Sequence, residues 1–492
     1  MDNLNIINDY NNNIDQYISY IKQDNDKKAT IITHGCQMNE HDSEKIAWLL
    51  QKMGYKIVDN IDDSDFVIVN TCSVRHSAED KVYGQLGNLK HLKNNSNKDL
   101  KLAVCGCMMQ RKESREYVVD KFDNVDIIFG TNNIWRLPEL IYKNSLDNKI
   151  AIDIDENISN NDDLLGADRL YKFKSYVNIM YGCNNFCTFC IVPYTRGREN
   201  SREKEDILRE IKELAANGCK EVTLLGQNVN SYGNNLLNKT SFADLLYAIN
   251  DIDGIERIRF MTSHPKDISD ELIYAYKDLD KLSNFLHLPV QSGSTRLLKK
   301  MNRKYSKEDY LKLIDKIKTI NPDIALSTDL MIGFPGETEE DFEETLDLCK
   351  KVEYDTSFTF IYSKREGTIA ARSKDQVPDK IKHERFQKLL DVLYPIQLKK
   401  NENLINTNQK VLVEGLSKTR NDILTGRTES FKTVNFKGDP KHIGEIVDVN
   451  ITSANTFSLN GDLIEWYGNQ INSHDETIFR GKRKTPRWNI VI

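Results

Sequence analysis

The sequence predicts an α/β chain in three parts: an N-terminal parallel-sheet domain, a (β/α)6 part-barrel and a C-terminal all-β barrel. Three observations predict it. From Ala29 to about residue 404, strand-length apolar runs alternate with amphipathic stretches of helical period. An acidic, asparagine-rich stretch around Asp153–Asp163 interrupts this alternation. After about Gln409 the pattern changes to short strands set off by Gly and Asn turns.

The totals agree with this division. A chain of 492 residues exceeds what one hydrophobic core organises, and three domains are expected. With 39% hydrophobic and 29% charged residues the composition is that of an ordinary globular protein. The longest apolar runs are strand-length, which predicts no membrane span. Residues 1–28 lack the basic start and apolar centre of a signal peptide, so a cytoplasmic protein is expected. In such a reducing compartment nine cysteines argue for metal binding before disulfides. The net charge of −6 offers no general attraction for nucleic acid, so any such partner must be met by a local surface.

Residues 1–28 read as a mobile extension or a short helix without visible function. The first domain is expected over 29–145. Its strands are Ala29–Thr33, Phe66–Asn70, Leu102–Val104 and about Asp126–Phe129, with helices at His41–Met53 and about Ala78–Leu92. Cys36, Cys72 and Cys107 each fall just past the carboxyl end of a strand. In a parallel sheet those ends share one edge, where α/β folds place ligands. The three thiols are therefore expected to converge as one site; the alternative is three independent buried cysteines. Cys105 lies on the strand itself, and alternation points it elsewhere as a core thiol. Cys219 and Cys349 are read the same way.

The part-barrel is expected over 169–400. Its strands are Lys174–Met180, Glu221–Leu225, Arg257–Thr262, Phe285–Leu288, Ala325–Ile332 and Ser357–Tyr362, each followed by an amphipathic helix. Chemistry in such folds sits in the loops after the strands. The loop after the first strand carries Gly182-Cys183-Asn184-Asn185-Phe186-Cys187-Thr188-Phe189-Cys190. Soft thiolates suit iron–sulfur clusters or zinc, but a structural zinc site wants a fourth ligand and none lies nearby in sequence. Three cysteines on a cubane leave one iron open for a substrate. Other strand-end loops carry Gly226-Gln227-Asn228, Ser263-His264-Pro265, Pro289-Val290-Gln291-Ser292-Gly293 and Gly333-Phe334-Pro335-Gly336. His264 and His287 are read as satisfying local hydrogen bonds. Arg196, Arg198 and Arg202 follow the cysteine loop, as solvated charge or as contacts to a phosphate or carboxylate.

The all-β module is expected over 405–466. Arg420, Arg427 and Lys432, interleaved with Phe431 and Phe436, suit RNA phosphates and unstacked bases. Between Lys410 and Glu445, seven Lys and Arg face five Asp and Glu, a net of only +2. A basic tail over 467–492, with Arg480-Gly481-Lys482-Arg483-Lys484, could add RNA affinity.

The spacing C-x3-C-x2-C, with Phe189 before Cys190, resembles the radical S-adenosylmethionine (SAM) superfamily. The order of three-cysteine domain, radical SAM part-barrel and small β module resembles the methylthiotransferases from about Ala29 to Ile464. The β module is similar to a TRAM domain, an RNA-binding barrel, at Gly426-Arg427-Thr428. Gly35-Cys36-Gln37-Met38-Asn39, Asn70-Thr71-Cys72-Ser73-Val74-Arg75 and His287-Leu288-Pro289-Val290-Gln291-Ser292-Gly293 match best the branch acting on N(6)-dimethylallyladenosine in tRNA. Met108-Met109-Gln110 departs from the more usual Met-Ala-Gln. The resemblance implies two 4Fe-4S clusters, one on Cys36, Cys72 and Cys107, and a SAM-chelating one on Cys183, Cys187 and Cys190. It implies a SAM pocket lined by Phe189, Gly226, Gln227 and Gly333. It implies a monomer that methylthiolates C2 of this base next to the anticodon, consuming two SAM per turnover, with a low-potential donor such as flavodoxin or ferredoxin. Two other readings stay open. One is the same chemistry on threonylcarbamoyl adenosine or on a ribosomal-protein aspartate; the other is a non-catalytic iron–sulfur or zinc RNA-binding protein.

Overall fold

The computed structural model describes residues 14–22, 26–73, 76–96, 99–155, 165–417, 420, 422–464 and 489–491. Strands β1 (Lys28–His34), β2 (Lys56–Ile57), β3 (Phe66–Thr71), β4 (Lys101–Gly106), β5 (Ile127–Phe129) and β6 (Ala151–Asp153) form one parallel sheet, ordered β2-β1-β3-β4-β5-β6. Its central strands are buried on both faces, which explains their unbroken apolar runs. Alternation sorts the side chains. Ile31, Ile68, Ala103 and Cys105 meet Ile46, Leu49 and Leu50 on one face, while Ile32, Val67, Val69 and Val104 meet Val82, Leu86 and Leu89 on the other.

One expectation changes here, and one open reading is decided in favour of a short helix. The first domain, expected to end at 145, runs on through the end of the helix Leu137–Asp147 to the edge strand β6. Residues 14–22 are helical, and Ile18 and Ile21 pack on the core while Tyr17 and Tyr20 meet Tyr142 at 5.3 and 4.8 Å between ring centroids. That part of the extension is a docked helix.

The part-barrel has β7 (Lys174–Asn178), a ribbon of β8 (Met180–Tyr181) with β9 (Asn200–Ser201), then β10 (Glu221–Leu225), β11 (Arg257–Phe260), β12 (Phe285–His287), β13 (Ala325–Ile332) and β14 (Thr356–Ile361). Two parallel sheets, β7-β10-β11 and β12-β13-β14, meet at a single bridge between Ile258 and Leu282. Among the described residues β7 and β14 are not paired, so the barrel is open. Capping boxes at Ser241/Asp244, Ser306/Asp309 and Thr338/Asp341 start three of its helices. Cys219 and Cys349 lie in its core. No helix of the described residues is long and apolar enough to cross a membrane.

Strands β15 (Asn408–Leu416), β16 (Ile423–Thr428), β17 (Thr433–Lys437), β18 (Ile446–Ala454) and β19 (Leu459–Leu463) close a barrel around Val411, Val413, Leu424, Val434, Phe436 and Val449. The basic cluster Arg480–Lys484 lies outside the described residues; beyond it β20 (Asn489–Val491) pairs in parallel with β1.

This module is docked on the amino ends of the part-barrel strands. Arg257 donates to the carbonyls of Arg427 and Lys410 at 3.1 and 3.3 Å, and Arg259 to that of Glu429 at 2.8 Å. Phe285 meets Phe431 at 5.0 Å between ring centroids. Lys432, expected at an RNA surface, is instead buried here, with its ammonium 3.0 Å from Asp355 and 2.8 Å from Asn401 Oδ1. Arg427 is half-buried, lies over the Phe431 ring at 4.5 Å and is 3.7 Å from Glu414. Arg420 is exposed and paired with Asp422 at 2.8 Å. Composition cannot tell which side of a small barrel faces a neighbouring domain, and for Lys432 that side is the interface.

Candidate functional site

The carboxyl ends of β1, β3 and β4 lie side by side, and the three cysteines issue from them. Cys36 caps the helix Gln37–Lys52, Cys72 follows β3, and Cys107 opens the short helix Cys107–Gln110. The turns are tight. Gly35 has φ +126°, and a Cβ there would lie 2.6 Å from Cys72 Cβ and 3.0 Å from its Sγ. Two buried asparagines from the cysteine motifs lock this edge. Asn39 Nδ2 donates to the carbonyls of Thr71 at 2.8 Å and His34 at 3.1 Å, and Asn70 Nδ2 to that of Asn39 at 2.9 Å. Cys36 also falls among the electrostatic neighbours of Cys107. Burial pushes the Cys107 thiol up, and the Arg196 guanidinium pulls it back part of the way.

On the barrel, the β8–β9 ribbon carries the second cysteine loop at its open end. Cys183 N–H donates to Gly197 O at 3.1 Å and Cys190 N–H to Cys187 O at 2.9 Å, curling the loop on itself. Asn302 Nδ2 holds the carbonyls of Asn185 and Phe186 at 3.1 and 3.0 Å. Phe186 sits in the left-handed region, with Arg198 stacked 4.2 Å from its ring centroid. The three thiols are mutual electrostatic neighbours. Burial pushes Cys183 up to about 11 and Cys190 up to about 12, so both are protonated thiols until a metal displaces the proton.

Both sets present soft sulfur donors, which fits iron–sulfur ligation. Among the described residues no three His, Cys, Asp or Glu groups are close enough to share one metal ion. A cubane asks less, because each cysteine binds a different iron.

The four residues expected around SAM divide. Phe189 is half-buried and meets Phe334 edge-on at 6.4 Å between ring centroids. The Gly226 carbonyl accepts from the Thr262 hydroxyl, and Gln227 Nε2 contacts Met38 Sδ of the N-terminal domain. Gly333 (φ +76°) lies against the aliphatic stem of Lys382, and its N–H donates to Glu337 at 2.6 Å. Around these strand ends the buried Gln227 Oε1, Asn228 Oδ1, Ser263 Oγ, His264 Nε2 and Tyr362 Oη have no hydrogen-bond partner among the described residues. These five atoms lie at the carboxyl ends of β10, β11 and β14. His264 Nδ1 and His287 Nδ1 do satisfy local bonds, to Lys266 N–H at 3.3 Å and Ser327 Oγ at 2.6 Å. Burial holds His264 down to about 2, so it is neutral.

Three arginines complete the site. Arg303, after the helix Thr295–Lys300, lies 3.6 Å from Cys187 Sγ and donates to Tyr305 Oη at 2.7 Å. Arg365, in the loop after β14, donates to the Ser73 carbonyl, and burial lowers its pKa against the pull of Glu79, Cys72 and Cys190. One guanidinium thus has a thiol of each set among its electrostatic neighbours. Arg196 leaves the barrel loop altogether and ends against Cys107 at 3.2 Å. Arg202 is buried and pairs with Glu210 at 2.7 Å, so it is not solvated charge. Arg303 and Arg365 carry no sequence signal, since each stands beside other charged residues and more than a hundred residues from the cysteines it approaches.

Residues 177–349 match the Radical SAM superfamily, residues 28–130 the Uncharacterized protein family UPF0004, and residues 403–464 the TRAM domain. A tRNA-2-methylthio-N(6)-dimethylallyladenosine synthase of Clostridioides difficile (strain 630) is 54% identical over 460 residues, covering 92% of this chain and 96% of its own. Enzymes of the same name from Thermoanaerobacter sp. (strain X514) and Acetivibrio thermocellus are 54% and 53% identical, covering 88% and 91% of this chain and 92% and 93% of theirs. Such identity over about nine-tenths of the chain places it in the tRNA-2-methylthio-N(6)-dimethylallyladenosine synthase family of radical SAM enzymes.

Proposed function

We propose that the chain inserts a methylthio group at C2 of N(6)-dimethylallyladenosine in the tRNA anticodon loop, next to the anticodon. One observation carries the reading. Two three-thiol sets lie on adjoining domains, and the barrel reaches across to the other set, Arg196 donating to Cys107 Sγ at 3.2 Å and Arg365 to the Ser73 carbonyl beside Cys72. The adenine C2–H bond yields to neither acid nor base, so a radical is needed. Radical SAM chemistry implies SAM and one 4Fe-4S cluster; we assign that cluster to Cys183, Cys187 and Cys190, and a second, sulfur-supplying one to Cys36, Cys72 and Cys107.

The chain's own residues bind, orient and shield. Gln227, Asn228, Ser263, His264 and Tyr362 offer SAM their unsatisfied polar atoms, and Phe189 and Phe334 give it an apolar wall. Arg303 and Arg365 set positive charge beside thiols that carry negative charge once loaded. The electron comes from a low-potential donor of the flavodoxin or ferredoxin class. The exposed Arg420 is a candidate RNA contact on the β module.

Anaerobically reconstituted protein is expected to hold about eight irons, as two four-iron clusters do, and a Cys183→Ala/Cys187→Ala/Cys190→Ala variant about four. With dithionite, SAM and dimethylallyl-modified tRNA, nucleoside mass spectrometry is expected to show the 2-methylthio product. Product only on threonylcarbamoyl adenosine, or on a ribosomal protein, would move the assignment to a sister activity. Absence of SAM cleavage by fully loaded protein would leave an RNA-binding iron–sulfur protein.

A further inference from the structure

We propose that Arg196 is a positioning residue for the N-terminal cysteine set. Supplied by the barrel and buried beside Cys107, its guanidinium fixes that thiol and tunes the one-electron midpoint of the cluster held there, with Asp42 as its counter-charge. This rests on the assignment of Cys36, Cys72 and Cys107 as cluster ligands made above.

The geometry is that of a built contact. The Arg196 and Asp42 side chains are 5% and 6% exposed. Arg196 Nε donates to Cys107 Sγ at 3.2 Å, and Nη2 to Asn39 Oδ1 at 3.2 Å and Asp42 Oδ2 at 2.7 Å. The planar fork therefore reads sulfur on one edge and oxygen on the other, which a lysine ammonium cannot copy. Asn39 also ties the ends of β1 and β3 together, so the same guanidinium is braced by the scaffold of the cysteine edge.

Arg196 is itself held in place. Its N–H donates to Val192 O at 2.8 Å, and the carbonyl of Thr195 accepts from Thr131 Oγ1 of the N-terminal domain at 3.0 Å. It follows Cys190 by six residues, so one short segment carries both a ligand of the barrel set and a donor to the other set.

Hydrogen bonds and positive charge beside ligand sulfur stabilise the more negative, reduced state of a cluster and raise its midpoint. Asp42 works against this, being an electrostatic neighbour of Cys107 of the same sign as the thiolate. Opposite substitutions should then move the midpoint in opposite directions, which a purely structural role for the pair would not do.

The test uses the full chain carrying Cys183→Ala/Cys187→Ala/Cys190→Ala, so that only the N-terminal cluster is observed. Iron is counted and the midpoint read by a mediated dithionite titration followed by electron paramagnetic resonance. Arg196→Gln is expected to keep about four irons, one cluster's worth. It should lower the equilibrium constant for reduction at least tenfold, which for a one-electron couple is about 59 mV. Arg196→Lys should fall between it and the parent, and Asp42→Asn should shift the midpoint upward. Cluster-bearing Arg196→Gln and Asp42→Asn proteins with the parent midpoint, or both shifted the same way, overturn the proposal. If Arg196→Gln holds no cluster, Asp42→Asn decides: an upward shift supports the proposal and an unmoved midpoint overturns it. Should the folded triple-alanine parent itself hold no iron, the cluster assignment fails, a result distinct from a cluster that is present and unmoved.

Discussion

Replacing Cys72 with alanine is expected to leave reductive formation of 5′-deoxyadenosine measurable and to abolish the 2-methylthio product on tRNA. Cys72 is buried at the end of β3, against the Gly35 turn, and its set lies on the N-terminal domain. The unsatisfied polar atoms proposed to receive SAM belong to the barrel strand ends instead. SAM cleavage should therefore need only the Cys183–Cys190 loop, whereas sulfur insertion needs both sets. Cys187→Ala should remove both activities. One anaerobic reaction with dimethylallyl-modified tRNA, resolved by liquid chromatography with mass detection, reads both products. A folded Cys72→Ala protein that retains its barrel cluster and still methylthiolates tRNA would falsify the assignment of the sulfur-supplying site. The change at Cys72 should perturb the fold little. The locking bonds of this edge run through Asn39, Asn70 and Thr71, and none of them needs the thiol.

Where the chemistry depends on chain order, the sequence was readable. A strand followed by a cysteine places that cysteine at a sheet edge, and a parallel sheet gathers such edges. Cys36, Cys72 and Cys107 accordingly issue from neighbouring strand ends although they are far apart in the chain. Cys105 lies on β4 itself, in phase with Ala103, and packs in the core among Ile31 and Ile68. What depends on orientation between domains was not readable. Arg196 stands out by its place after the cysteine loop, but nothing local says that it crosses to Asp42 and Cys107. Lys432 lies just before β17 in a stretch of mixed basic and aromatic residues that suits RNA, yet it is buried where the β module meets the part-barrel. The strands β2 and β6, two and three residues long, are too short to carry a period at all.

Glu221→Gln is expected to destabilise the protein by about 3–5 kcal/mol, the range for breaking a buried ion pair from one side. Glu221 opens β10, and its carboxylate lies 3.4 Å from Arg257 Nη1 and 3.0 Å from Arg259 Nε. All three side chains are at most 5% exposed. Both arginines spend their remaining donors on carbonyls of the β module, so the carboxylate neutralises charge at the joint between two domains. Removing that charge leaves two like-charged guanidiniums side by side in a buried interface. For the same reason, a chain cut before Asn408 would bare Arg257 and Arg259, and its loss of tRNA affinity could not be separated from its loss of stability.

The sign of the pH dependence follows from the same contacts. Burial alone would raise the Glu221 pKa; Arg259, Arg257 and Lys174 outweigh it and hold the group below its ordinary value. The stabilisation is thus fully present above the unfolded carboxylate range, near about pH 4.3, and is lost as pH falls through the depressed folded value. Denaturant midpoints of the parent and of Glu221→Gln should differ most at neutral pH and draw together under acid. A variant within about 0.5 kcal/mol of the parent at neutral pH, the ordinary range for surface changes, would show that this network does not hold the two domains together.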